Sequence, residues 1–290
     1  MKNRNSSSYL MLTVSVLIFG TIGLFRRYIP LSSGILACAR GFMGSAVILI
    51  FMKATGRKLC HGIGLKKVLL LALTGALMGY NWIFLFEAYN YTTVAVTTLC
   101  YYMQPTIVVL LSPLVFGEKL NLRKILCVIF SVAGMALVSG LADGGAGGAS
   151  LTGVLLGLAA AALYSSVIIL NKKVDVEDSY EKTVIQLFSA AAAILPYLLL
   201  TEDLSAVTLT PFSGIMLLVV GIVHTGIAYV LYFGSMPALP AQSIAILSYI
   251  DPVFALILSA AVLGEKMSFF GILGAVLIIG SALVSELKKD

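Results

Sequence analysis

Three ionisable residues stand inside long apolar stretches of this chain: Arg40, His224 and Asp251. A carboxylate at membrane depth is costly, so Asp251, directly before Pro252, calls for a use or a partner. Two readings are open. Asp251 is either a proton-titrating or cation-binding group in a cavity, or a carboxyl bonded to carbonyls that Pro252 frees because it has no N–H to donate. Gln104-Pro105 places a neutral amide before a matching proline, and paired prolines at corresponding points of two halves are the pattern of interrupted helices beside a midplane site. Gln104 can hydrogen-bond a polar solute or pack against a neighbouring helix. His224 could exchange protons with Asp251, although a lone histidine is more often held structurally. Arg40 stays charged at ordinary pH. It is read as a structural intramembrane charge tying carbonyls and a neighbouring acid together; if it faces a cavity instead, an anionic solute is favoured.

Aromatic side chains accompany these positions. Trp82 aligns with Tyr229 and Tyr102 with Tyr249 between the two halves described below, and Tyr164 adds a further ring. Such rings offer apolar walls with polar tips, suited to an amphipathic solute or an amine, though tyrosine and tryptophan also gather at membrane interfaces for reasons unrelated to ligands. The candidate solute-binding set is therefore Trp82, Tyr102, Gln104, Tyr164, Tyr229, Tyr249 and Asp251, with Asp251 and His224 as proton-coupling candidates. No catalytic residue, metal site or cofactor is expected. His61 lies in a loop, and of the four cysteines only Cys60 falls outside an apolar run, so neither a zinc pattern nor a disulfide framework is present.

The elements that must position these groups are membrane helices. The chain is 60% hydrophobic and 11% charged over 290 residues, with a mean hydropathy of +1.03; soluble domains are roughly 45–50% apolar and about 25% charged. Apolar runs closed by charge, Gly or Pro predict ten spans near 9–27, 33–52, 67–87, 92–115, 122–140, 151–170, 181–200, 211–234, 241–263 and 269–286. They lack the alternation of barrel strands, so the expected class is all-α. The first run ends in Arg26-Arg27 rather than a cleavage site and is kept as a span. Lys and Arg are divided fifteen to three between the two sets of loops, leaving Arg40 inside a span. This bias predicts both termini on the cytoplasmic side of a cell membrane. The formal charge of +6 is thus a topology signal and not a nucleic-acid stripe. The expected partners are the lipid bilayer and a small solute.

The chain also repeats itself. A shift of 147 superposes Gly79 on Gly226, Phe86 on Phe233, Tyr102 on Tyr249, Pro105 on Pro252 and Glu118 on Glu265. Asp143-Gly-Gly-Ala-Gly-Gly-Ala-Ser150 has the composition of a flexible linker, dividing the chain into 9–140, a linker at 141–150, and 151–286. Five spans per half means that the second half enters the membrane upside down, and inverted repeats are an architecture of secondary transporters.

Two copies of a span ending in Gly-Glu-Lys (Gly117-Glu118-Lys119 and Gly264-Glu265-Lys266), each followed by a Gly-containing apolar helix, together with Ala39-Arg40, resemble the drug/metabolite transporter superfamily, EamA type. The resemblance covers about 9 to 286. It implies a ten-helix fold around a central cavity lined mainly by spans 1, 3, 4, 6, 8 and 9, and export of amino acids, related metabolites or drugs. Arg40 aligns with Gln186 and has no basic counterpart, so its role belongs to one half. Import or facilitated passage of a nucleoside, sugar or amine is the alternative. A membrane-embedded enzyme would need more clustered acids, histidines or nucleophiles than this chain carries, a lipid flippase is a further class, and the lack of a Walker motif excludes ATP hydrolysis by this chain.

Overall fold

The computed structural model describes residues 2–59, 63–117, 119–139, 150–174, 176–204 and 207–286. The sequence readings made on Cys60, His61, Glu118, the linker at 141–149, Lys288 and Lys289 lie outside those residues.

Each apolar run becomes helix because lipid offers no partner for backbone polar groups, and only intra-segment bonds satisfy them. In the first half these are α1 (Lys2–Gly20), α2 (Ile22–Arg26), α3 (Ser33–Ala54), α4 (Leu65–Tyr91), α5 (Val94–Tyr101), α6 (Gln104–Phe116) and α7 (Leu122–Val138). The second half comprises α8 (Leu151–Asn171), α9 (Ser179–Thr201), α10 (Pro211–Leu218), a π-helical segment (Val219–Ile227), α11 (Ala228–Ser235), α12 (Ala241–Ser248), α13 (Ile250–Ala261) and α14 (Phe269–Glu286). Grouped end to end they give ten membrane segments. Among the described residues, eight are long and apolar enough to cross a membrane. The 17-residue α7 and the Phe269–Ser285 stretch of α14 sit at the short end of the spanning range, which begins at roughly 17 residues.

Short polar residues start the helices where the sequence leaves the apolar runs. The side chains of Ser32, Thr93, Asn121 and Thr210 each accept a backbone N–H from the first turn that follows, satisfying donors that a helix start leaves open. Gly117 closes α6 with φ 66°, a left-handed conformation that glycine adopts without penalty.

The interior is apolar, built around Phe86, Leu36, Leu187 and Ile194, with a second cluster of Leu99, Met135 and Ile278. The outer surface is apolar too: Leu114, Leu200 and Phe269 are each more than three quarters exposed, as expected of side chains that face lipid. Small residues bring the helices close. A Cβ on Gly134 would lie 2.7 Å from the carbonyl oxygen of Gly274, so α7 and α14 meet backbone to backbone, with Ser131 and Ser281 hydroxyls 3.0 Å apart beside the contact. The chain is thus an all-helical, multi-pass membrane protein in which two five-segment halves alternate in direction.

Candidate functional site

Both proline-bearing spans are interrupted. α5 stops at Tyr101 and α6 begins at Gln104-Pro105; α12 stops at Ser248 and α13 begins with Ile250-Asp251-Pro252. A proline cannot donate to the residue four positions back, so Pro105 and Pro252 break the ladder at Tyr101 and Ser248. Between the two breaks lies a cavity of about 500 Å³. Trp82, Tyr102, Gln104, Tyr164, Tyr229, Tyr249 and Asp251 all line it.

Asp251 is held at its break from two sides. The Tyr102 hydroxyl donates to Oδ2 at 2.6 Å, and α1 comes so near that a Cβ on Gly20 would lie 2.8 Å from the Asp251 carbonyl oxygen. Tyr102 and its repeat counterpart Tyr249 pack with ring centroids 6.2 Å apart, so the equivalent tyrosines of the two halves meet at the cavity. The main-chain oxygen of Gln104 accepts from Ser165 at 3.0 Å. Its side-chain Oε1 is buried with no hydrogen-bond partner, an arrangement rare enough in proteins to need a cause. Tyr229 lies 5.4 Å from Phe19, and Tyr164 lies 5.7 Å from Tyr101.

Arg40 and His224 are placed differently from each other. Arg40 does not tie an acid to the scaffold: among the described residues no carboxylate comes within 4.0 Å of it, and the ion pairs found there are Arg27–Glu265 and Arg57–Asp178. Its Nε donates to Thr225 at 3.0 Å, and its guanidinium carbon sits 4.0 Å from the Trp82 ring centroid and 5.3 Å from that of Phe86. The second span also reaches the cavity, since Arg40 lines it. Gly41 and Gly44 let α3 press against α9 and the π-helical segment, which brings the long arginine side chain inward. Gln186, the repeat counterpart, lines the cavity from α9 and donates to Thr74 at 2.7 Å and Asn171 at 2.8 Å. The second span thus bonds a threonine of the eighth, and the seventh a threonine of the third.

His224 stands apart from the cavity. It is 2% exposed and is not among the residues that line the cavity. Nδ1 faces the Val219 carbonyl at 3.3 Å, which requires a proton on that nitrogen, and Nε2 lies 2.7 Å from the Thr21 hydroxyl. Thr21 is the residue between α1 and α2. The ring thus bridges the bend of the first span and the π-helical segment.

The lining continues past Ile168 and Thr183 to Asn171, toward the Lys/Arg-rich face where α8 ends and α9 begins. On the opposite face Glu265 closes several elements together. It pairs with Arg27 at the end of α2, accepts the Val94 N–H at 2.8 Å at the start of α5, and accepts the Ser259 hydroxyl at 2.6 Å from α13. Among the described residues no three of His, Cys, Asp or Glu converge to hold a metal.

Tyr101, Tyr89, Tyr232 and Gln186 also line the cavity beyond the candidate set read from sequence. Gln186 had a signal, since it aligns with Arg40. Tyr89 sits in a span whose aromatics are indistinguishable in sequence from interfacial ones.

This duplicated architecture matches a known family twice over: residues 6–140 and 151–286 each fit the model of the EamA-like transporter family. The chain belongs to that family. It is 27% identical to the uncharacterized transporter YxxF of Bacillus subtilis, over 99% of this chain and 92% of that one. It is 28% identical to the protein RarD of Salmonella typhi, over 77% of this chain and 76% of that one. A crystal structure at 23% identity superposes with a TM-score of 0.64 over 97% of this chain and 96% of its own, showing the same fold. This EamA-like protein is a membrane transporter.

Proposed function

We propose that this protein is a secondary transporter that exports a small metabolite, an amino acid or related compound, or a drug, by alternating access through the central cavity. The observation that carries the reading is the meeting of two helix breaks, one from each half, at a cavity of about 500 Å³ holding Asp251, Tyr102 and Gln104. Broken helices at the interface of inverted repeats create a midplane site that rocking of the halves can expose to either side. The conformation described here favours loading from the Lys/Arg-rich face, which the charge bias assigns to the cytoplasm. Release then requires the Arg27–Glu265 cluster on the far face to part. Asp251 is the proton-coupling group of this cycle, because a carboxyl that exchanges a proton between the two open states links solute movement to a pH gradient. The intramembrane ionisable groups are too few for a membrane-embedded enzyme.

The test is transport by the purified protein in proteoliposomes, using radiolabelled amino acids, nucleosides, sugars and amines. Saturable uptake of a water-soluble solute that an imposed pH gradient accelerates is the expected outcome. Flux that rises linearly with solute concentration would mean a channel, and lipid scrambling without solute flux would mean a flippase; either overturns the proposal.

A further inference from the structure

The Arg40 guanidinium is a cation built into the cavity wall with no counter-ion among the described residues. The residue is 4% exposed, and such a charge in an apolar interior ordinarily requires an opposite charge and a full set of hydrogen bonds. Only Nε has a described acceptor, the Thr225 hydroxyl. That hydroxyl is itself fixed, donating at 3.0 Å to the Val220 carbonyl five residues back in the π-helical segment. The two outer nitrogens donate to no described residue, and they are not among the atoms sealed from the cavity. Trp82 and Phe86 hold the plane of the group by cation–π contact. Two adjacent N–H donors on a clamped, planar cation are the fork that receives a carboxylate in bidentate fashion.

We infer that Arg40 is the specificity-determining residue of the cavity, and that the transported solute carries a carboxylate which seats on its outer nitrogens and supplies the missing counter-ion. The rings around it give the rest of the solute its character. Trp82, Tyr101, Tyr164 and Tyr229 line the same space, so the body attached to the carboxylate is compact and aromatic or unsaturated. Gln186, at the equivalent place in the other half, spends both side-chain N–H donors on Thr74 and Asn171. Recognition of the acid is thus one-sided, although the scaffold is duplicated. The inference rests on the reading of this cavity as the transport site.

Trp82 makes the test direct, because it is the single tryptophan of the chain and lies 4.0 Å from the guanidinium. Full-length protein is titrated with phenylacetate, its neutral isostere phenylacetamide, and phenethylamine, following Trp82 emission and thermal stability. Phenylacetate is expected to give a saturable change and phenylacetamide one weaker by about tenfold or more, the scale of a hydrogen bond to a charged group. Arg40→Gln should erase the preference for acid over amide, and Arg40→Lys should keep the preference at lower affinity, since lysine retains the charge without the fork. Equal binding of acid and amide, an amine that outcompetes the acid, no saturable response to phenylacetate, or an Arg40→Gln protein that still discriminates would each overturn the assignment. If Arg40→Gln does not fold, the acid/amide pair on wild-type protein and on Arg40→Lys decides the matter. Saturable binding of the amine alone would leave the cavity standing as the transport site while removing the carboxylate. Selective binding of phenylacetate with no uptake into proteoliposomes would do the reverse.

Discussion

Replacing Glu265 by glutamine tests whether its cluster is the closed door of the transport cycle. In the structure one carboxylate oxygen pairs with Arg27, and the other accepts both the Val94 N–H and the Ser259 hydroxyl. Glutamine keeps an acceptor in the same place but loses the charge. Each of the two hydrogen bonds then falls from about 1.5–3 kcal/mol to about 0.5–1.5 kcal/mol. The Arg27 side chain is 42% exposed, so its pairing adds at most about 1 kcal/mol and often nothing measurable. Both hydrogen bonds share a single oxygen and their losses are not independent. A net weakening of about 1.5 kcal/mol is therefore expected, which corresponds to about a tenfold rise in the population open on that face. The assay is the labelling rate of Val94→Cys by a membrane-impermeant maleimide, in a Cys60→Ser background. Val94 is buried beneath Glu265 in the closed form, so its thiol reacts only when the door opens. Glu265→Gln should speed labelling about tenfold, and Arg27→Gln by less, with the double variant showing less than the sum of the two effects. An unchanged or slower rate in Glu265→Gln would show that this cluster does not hold the far face shut.

Two further substitutions probe the scaffold. Gly134→Leu should lower thermal stability by about 1–3 kcal/mol, the usual cost of overpacking, because its Cβ alone would sit 2.7 Å from the Gly274 carbonyl; a melting temperature equal to wild type would show that α7 and α14 do not meet there. His224→Gln should lower stability by loosening the bend at Thr21 while leaving the pH profile of transport in place, and a displaced profile would restore the histidine to the proton path.

Hydropathy and charge alone locate the membrane segments, because a span needs a length of apolar sequence that nothing else in the chain imitates. The helix breaks were legible for a similar reason. Pro105 and Pro252 remove specific hydrogen bonds wherever they fall, and their equivalence under the 147-residue shift pairs them across the two halves. The direction of Arg40 was not legible. In α3 both the lipid side and the inner side are apolar or small, so the helix has no polar face to tell the cavity from the bilayer. The role of His224 depends on Thr21, 203 positions away, and no local spacing announces that contact. Nor does a proline mark the π-helical segment that carries both His224 and Thr225. Glu265 read as a helix-end residue at the membrane surface; its grip on Arg27 and Val94 comes from tertiary packing between halves, while Ser259 reaches it from six residues back.

Transport by Asp251→Asn in proteoliposomes is the sharpest test of the proposed coupling of solute movement to pH through a protonatable carboxyl in the shared cavity. Asparagine is neutral at every pH and still accepts the Tyr102 hydrogen bond, so the fold should persist. The expected result is a stable protein whose residual solute flux no longer varies with pH or with an imposed pH gradient. A variant that transports at wild-type rates with the wild-type pH profile would contradict it.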